Sequence, residues 1–142
     1  AKMRPWMKAR MPKFDEHAEV LAEGLNAAHG FSNEKDNFAL GAKQESGSKL
    51  IQQTGFACII CHGVGDTKAL APFAAPGPNL QLAGQRFRHE YYLRWMLNPQ
   101  RAEPTTPMTK FSNDHKKTAV KEFDGDATKQ FNAIWDYIKA LK

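Results

Sequence analysis

Five consecutive residues, Cys58-Ile59-Ile60-Cys61-His62, constrain this chain more than any other stretch of its sequence. Two thiols three positions apart, followed directly by an imidazole, are typical of a site where c-type haem is attached covalently. Each thiol can add to one vinyl group of the macrocycle, and the imidazole can then bind the iron through one ring nitrogen. The motif therefore predicts one covalent haem c per chain, held by Cys58 and Cys61, with His62 as a ligand of the iron.

Two other kinds of site use the same residue types. A protein zinc site needs about four ligands, usually two cysteine pairs or a cysteine pair with a histidine pair. A thioredoxin-like dithiol requires a βαβ setting, and no strand pattern precedes the motif. The sequence has no third cysteine, and its other histidines are scattered: His17, His29, His89 and His115. Haem attachment is therefore favoured over zinc binding and over dithiol chemistry.

The length and hydropathy of the chain bound its class. It has 142 residues, enough for one domain with a modest core, and 42% of them are hydrophobic, as in a globular protein. No apolar run approaches the roughly 20 residues that a membrane span requires. We therefore expect a globular protein without a transmembrane segment.

The charge of the chain is unevenly distributed. Its formal net charge is +5, and residues 1–13 contain five basic residues and no acidic one, so residues 14–142 balance 15 basic against 15 acidic groups. A basic arm of this kind is usually a solvated tail, and it can also steer a protein to an acidic partner or an anionic surface. No nucleic-acid-binding motif accompanies the charge, which argues against a nucleic-acid partner.

Four segments are predicted to be helical, and alternating strand patterns are absent. The first segment, 14–29, can be capped by Asp15 and ended by Gly30. A polar stretch from 31 to 42 is typical of a linker. The other helical segments are 44–61, 87–97 and 131–141. The sequence therefore predicts an all-α protein, with a basic arm, helix and linker in residues 1–42 and a haem domain in residues 43–142.

The haem domain, from residue 43 to the end, resembles a class I cytochrome c. The resemblance rests on the motif Cys58–His62, on Gly77-Pro78-Asn79-Leu80, and on Met108 and Phe111 in an irregular loop. It implies the class I cytochrome c fold around one covalently bound haem, here with an extra N-terminal helix. In place of the proline that usually follows the methionine in that family, this chain has Thr109.

The resemblance also implies how the iron would be bound. It makes the carbonyl of Pro78 the acceptor of a hydrogen bond from Nδ1 of His62, which would fix the orientation of the imidazole. It makes Met108 the second axial ligand, so that His62 and Met108 are the metal ligands. Among the other methionines, Met96 lies on an apolar helical face and is explained by packing.

Further residues are expected to contact the macrocycle. Tyr92 and Trp95, with Met96, give the segment 87–97 a large apolar face. The indole N–H of Trp95 can donate to a haem propionate, and Arg86 is a second propionate partner because guanidinium matches the geometry of a carboxylate.

These expectations favour electron transfer over catalysis. An iron bound by both His62 and Met108 has no open site for a substrate, so we expect an electron carrier and not an enzyme. Two alternatives stay open: a haem domain with a labile or open sixth site that acts in catalysis or gas sensing, and the electron-entry domain of a larger multi-haem enzyme. In the family that the chain resembles, haem is attached outside the cytoplasmic membrane. We therefore expect a periplasmic or otherwise exported location, with redox proteins as partners.

The N-terminal segment has a likeness of its own. Arg10-Met11-Pro12-Lys13-Phe14 and the helix after it resemble the methionine loop and last helix of a cytochrome c domain. Three interpretations stay open: the segment is the remnant of a preceding haem domain, a decayed repeat, or an ordinary amphipathic helix. Its apolar face, which includes Leu21 and Leu25, is expected to dock on the haem domain, on a second copy of the chain or on a neighbouring domain.

Overall fold

The computed structural model describes residues 16–30, 38–71 and 77–141. The chain divides into two compact units, residues 1–37 and residues 38–142, whereas the sequence places the boundary between residues 42 and 43. In the described part of the chain no helix is long and apolar enough to cross a membrane.

The first unit contains one described helix, α1, from Ala18 to Ala28. It ends as the sequence predicts, because Gly30 takes a left-handed φ of 71° and donates its N–H to the carbonyl of Ala27. Within α1 no residue is buried. The expected cap Asp15, the Met11 segment and residues 31–37 of the expected linker lie outside the described residues.

The structure as a whole is mostly helical with few strands, which is compatible with the all-α class. Short 3₁₀ turns occur at Cys58–Ile60 and Glu122–Gly125. The described residues also contain one small antiparallel hairpin, of β1 and β2, that no sequence pattern predicts. The elements are α2 (Gln44–Leu50), α3 (Leu80–Arg86), α4 (His89–Leu97), α5 (Pro99–Ala102), β1 (Ser112–Asn113), β2 (Lys117–Thr118) and α6 (Ala127–Ala140).

Helix α6 forms the centre of this unit. Its apolar residues recur at intervals of three and four, so that one face is buried along the whole helix. Helix α2 crosses it at Gly47, where an added Cβ would overlap the backbone carbonyl of Ala133. The residue without a side chain is therefore what allows the two helices to approach so closely. The buried face of α6 consists mainly of Phe131, Ile134, Trp135 and Ile138.

The predicted helix over 44–61 is wrong in length, because α2 ends at Leu50. The chain folds back there: the N–H of Phe56 donates to the carbonyl of Leu50 at 2.7 Å. An added Cβ at Gly55 would overlap the Leu50 backbone, so glycine permits this reversal. The apolar residues that look like a continued helix, Ile51 and Phe56, are buried from this turn instead.

Residues 38–41 begin the second unit and pack against its helices. The ring of Phe38 stacks on the imidazole of His89, with centroids 3.7 Å apart. The N–H of Gly41 donates to Oδ1 of Asp136 at 2.8 Å, and Asp136 is 2% exposed. A buried carboxylate needs such a donor. This part of the expected linker therefore contacts both α4 and α6.

Candidate haem site

The cysteine-histidine motif forms a single tight turn. Ala57 takes a left-handed conformation, with φ 56°, and the 3₁₀ turn Cys58–Ile60 follows it. The N–H groups of Cys61 and His62 both donate to the carbonyl of Cys58, at 3.1 and 2.9 Å. Both thiols are free and half-buried. The turn thus holds two thiols and one imidazole within five residues of chain.

The surroundings of the Cys58 thiol disfavour its ionisation. Burial raises the pKa of the Cys58 thiol to about 12, because the thiolate would lose its hydration there. The thiol of Cys58 is therefore neutral at physiological pH.

The imidazole of His62 is fixed by a backbone acceptor. Its Nδ1 lies 2.7 Å from the carbonyl oxygen of Pro78. Since a carbonyl can only accept, Nδ1 carries the proton and the lone pair is on Nε2. The structure thus brings together the two residues that the sequence pairs, and leaves Nε2 as the nitrogen that can bind a metal.

The loop that supplies this carbonyl is attached to the motif through its backbone. The N–H of Gly77 donates to the carbonyl of Cys61, and the N–H of Leu80 donates to that of Gly63, both at 2.9 Å. Gly77 lies against the imidazole itself: an added Cβ would come within 2.5 to 2.8 Å of both ring nitrogens of His62. A residue without a side chain is therefore needed beside this ring.

The side chain of Asn79 completes this attachment. Its Nδ2 donates to the carbonyl of Gly65 at 2.6 Å, and its Oδ1 accepts from the N–H of Gly65 at 3.2 Å. The same Oδ1 accepts from the N–H of Gln81 and caps the start of α3. One side chain thus joins the loop, the segment that follows the motif and a helix.

Met108 is held at three atoms. Its N–H donates to Oγ1 of Thr106 at 3.3 Å, and its carbonyl accepts from Nε2 of Gln100 at 2.7 Å. Its sulfur accepts from the indole N–H of Trp95, with nitrogen and sulfur 2.9 Å apart. The sequence predicts a role for both Met108 and Trp95, and the structure brings the two side chains together.

The remaining predicted residues have other positions. Tyr92 is buried and its hydroxyl donates to the carbonyl of Phe131 at 2.9 Å, so it ties α4 to α6. Phe111 packs on Phe56 with ring centroids 5.0 Å apart. Arg86 is exposed at the C-terminal end of α3.

Sequence reasoning assigned no individual role to four residues that support the site. Gly77 is the easiest to find, since a glycine between two prolines suggests a close backbone approach. Asn79 before a helical segment is a capping signal. Gln100 and Thr106 carry no signal, because their contacts depend on how the loop folds back on α5.

The described residues give no support to a metal site made of protein ligands alone. Within them, no three His, Cys, Asp or Glu side chains come together in a way that could hold a metal ion. Zinc would require such a group.

Comparison with known proteins adds nothing to these residues. No protein-family model, curated protein or solved structure matches the chain.

Proposed function

We propose that this chain transfers electrons through a single haem c, attached at Cys58 and Cys61 and bound axially by His62 and Met108. The observation that carries the proposal is the imidazole of His62, oriented by the carbonyl of Pro78 so that Nε2 is free to bind iron. A structural histidine in a turn would not need a second loop built against its ring. The proposal includes the class I cytochrome c fold for the second unit.

The residues of the site fit this group. Cys58 and Cys61 are free thiols in one turn, as two thioether bonds require. The hydrogen bond from Nδ1 of His62 to the carbonyl of Pro78 fixes the tautomer and the orientation of the ring. Because Gly77 has no side chain, its backbone lies in direct contact with one face of the His62 imidazole. When bound, the haem iron would exchange one electron between its ferrous and ferric states.

The attachment of Met108 favours electron transfer over a reaction at an open site. Met108 is already ordered by hydrogen bonds at its N–H, its carbonyl and its sulfur, so its thioether can stay in place in both oxidation states. A closed sixth position leaves no room for a substrate. For this reason we prefer a carrier to the gas-sensing or catalytic alternative, and we propose an exported location with redox proteins as partners.

The attachment of haem is tested by expressing the full chain with a haem-attachment system. We expect one haem per polypeptide that stays on the chain through denaturation and acid-acetone extraction. The matched controls are Cys58→Ser and Cys61→Ser, each of which should lose one thioether bond, and the double variant, which should lose the haem on extraction. If the wild-type colour leaves with the solvent, the proposed attachment is wrong.

The sixth ligand is tested with Met108→Ala. We expect carbon monoxide to bind this ferrous variant readily and the wild type poorly, and the weak long-wavelength sulfur-to-iron band of the ferric protein to disappear. The control is Met96→Leu, because Met96 is a buried core methionine and its loss should leave the band unchanged. Ready binding of carbon monoxide to the wild type would favour the open-site alternative.

A further inference from the structure

We propose that the indole N–H of Trp95 acts on the methionine sulfur, as a positioning residue that sets the donor strength of Met108, and not on a haem propionate. The inference rests on the proposed haem function and adds a regulatory role for one side chain of the same site. The carrying observation is the distance of 2.9 Å between Nε1 of Trp95 and the sulfur of Met108, which is shorter than an ordinary contact between these atoms.

The donor is fixed by contacts that do not involve Met108. Three residues before Trp95 on α4, the buried hydroxyl of Tyr92 donates to the carbonyl of Phe131, and its ring packs on Trp135 with centroids 4.7 Å apart. These contacts prevent α4 from turning about its own axis. The position of the Trp95 ring therefore follows from how α4 packs on α6.

The acceptor is fixed just as independently. Gln100 holds the carbonyl of Met108, and Thr106 holds its N–H. The Trp95 indole and the Met108 sulfur are anchored separately and meet at one hydrogen bond. This bond is therefore set by the fold and not by the free rotation of either side chain. A methionine sulfur has two lone pairs, and one can bind iron while the other accepts from Trp95.

The indole has one N–H and no acceptor. If that hydrogen points to the sulfur, it is not available to a propionate. The two roles therefore make different predictions: a bond to sulfur acts only while Met108 is a ligand, whereas a bond to a propionate acts whatever occupies the sixth position.

A hydrogen bond to the sulfur should favour the reduced protein. Donation by Trp95 draws electron density from the thioether, so the sulfur becomes a weaker donor to the iron. This loss of donor strength destabilises ferric iron more than ferrous iron. Trp95→Phe removes the donor and should lower the reduction potential. At a fixed electrode potential we expect the ferrous-to-ferric ratio to fall roughly threefold. The corresponding free-energy change is smaller than the stabilisation by one typical hydrogen bond.

The test is a double-variant cycle on the haem-loaded full chain, with the potential and the ferric sulfur-to-iron band as readouts. Trp95→Phe is measured alone and in the Met108→Ala background. We expect a lower potential and a shifted but persistent band in the single variant, and no effect of Trp95→Phe once Met108 is gone. Tyr91→Phe is the control, since Tyr91 is the neighbouring aromatic ring, 6.4 Å from that of Trp95.

The outcomes separate this inference from the proposed function. Extraction of wild-type haem would reject the function, whereas an unchanged potential in Trp95→Phe, on a protein with covalent haem and the sulfur band, would overturn the inference alone. An equal drop in potential with and without Met108 would also overturn it and assign the N–H to another group. If Trp95→Phe does not fold, the isosteric benzothiophene amino acid at position 95, which lacks only the N–H, decides the same question.

Discussion

The two ligands that we propose for the iron are held in different ways. His62 is positioned mainly by backbone: a carbonyl at Pro78, a glycine at 77 and main-chain hydrogen bonds from the loop to Cys61 and Gly63, with Asn79 as the one side chain described above that ties the loop down. Met108 is positioned by side chains, with Gln100, Thr106 and Trp95 each holding one of its atoms.

The difference determines how easily each side can change. A backbone contact survives most substitutions, because every residue except proline keeps the same N–H and C=O. A side-chain contact is lost when that one residue is substituted. The His62 side should therefore tolerate substitution except at Asn79 and where a Cβ is added, and the Met108 side should respond in small separate steps.

The largest expected effect tests whether the turn that contains Cys58 already buries its thiol before haem is attached. In haem-free Cys61→Ser protein, the single thiol of Cys58 should react with iodoacetamide about 1000-fold more slowly when folded than in urea, because raising its pKa from 9.0 to about 12 removes the thiolate. The folded rate should still rise tenfold per pH unit from pH 9 to 11, where the unfolded rate has levelled off. Equal folded and unfolded rates would mean that the turn is open.

The next effect is expected at Gly77. Gly77→Ala adds a Cβ that overlaps the His62 ring, so the ring or the loop must move, at a cost of about 1–3 kcal/mol. We expect less low-spin haem spectrum and a lower urea midpoint. Pro78→Ala is the matched control, because it keeps the carbonyl acceptor and should retain the spectrum. A normal spectrum in Gly77→Ala would contradict the need for a residue without a side chain beside the His62 ring.

A smaller effect is expected on the Met108 side. Gln100→Ala leaves the carbonyl of Met108 without its donor and should cost about 1 kcal/mol of the free energy of unfolding, measured in urea. The same variant should bind carbon monoxide faster, since the loop that carries Met108 is less constrained. Gln85→Ala, at an exposed glutamine of α3, is the control; equal effects of the two changes would remove Gln100 from the site.

The smallest effect is expected at Thr106. Its bond to the N–H of Met108 is long, at 3.3 Å, so Thr106→Val should cost only about 0.5 kcal/mol. The exposed Thr109 of the same loop supplies the control, Thr109→Val. A loss as large as that of Gln100→Ala would show that the three contacts are not independent.

The sequence predicts the parts of this site that local chemistry specifies. The spacing of Cys58, Cys61 and His62 is meaningful without a fold, and the stripe of α6 is long enough to show its period. The pairing of His62 with Pro78 came from a resemblance, and the structure contains that contact. The roles of these residues toward haem stay predictions.

The remainder depends on contacts between distant segments. The helix predicted over 44–61 stops at Leu50 because Gly55 allows the chain to reverse against it, and periodicity does not reveal a reversal. The hairpin has strands of two residues, too short for any alternation. Gln100 and Thr106 look like ordinary loop residues until the loop is folded.

The hydrogen bond between Gly41 and Asp136 has a consequence for how the second unit can be connected. It joins the segment that begins this unit to the helix that closes it, across 95 positions of sequence. A body whose first and last elements are adjacent can be inserted into a surface loop of a host protein without separating the host's two halves. For the same reason the unit should accept circular permutation: a short peptide would join the old ends, and the new ends could lie in the exposed turn at Asp114 and His115.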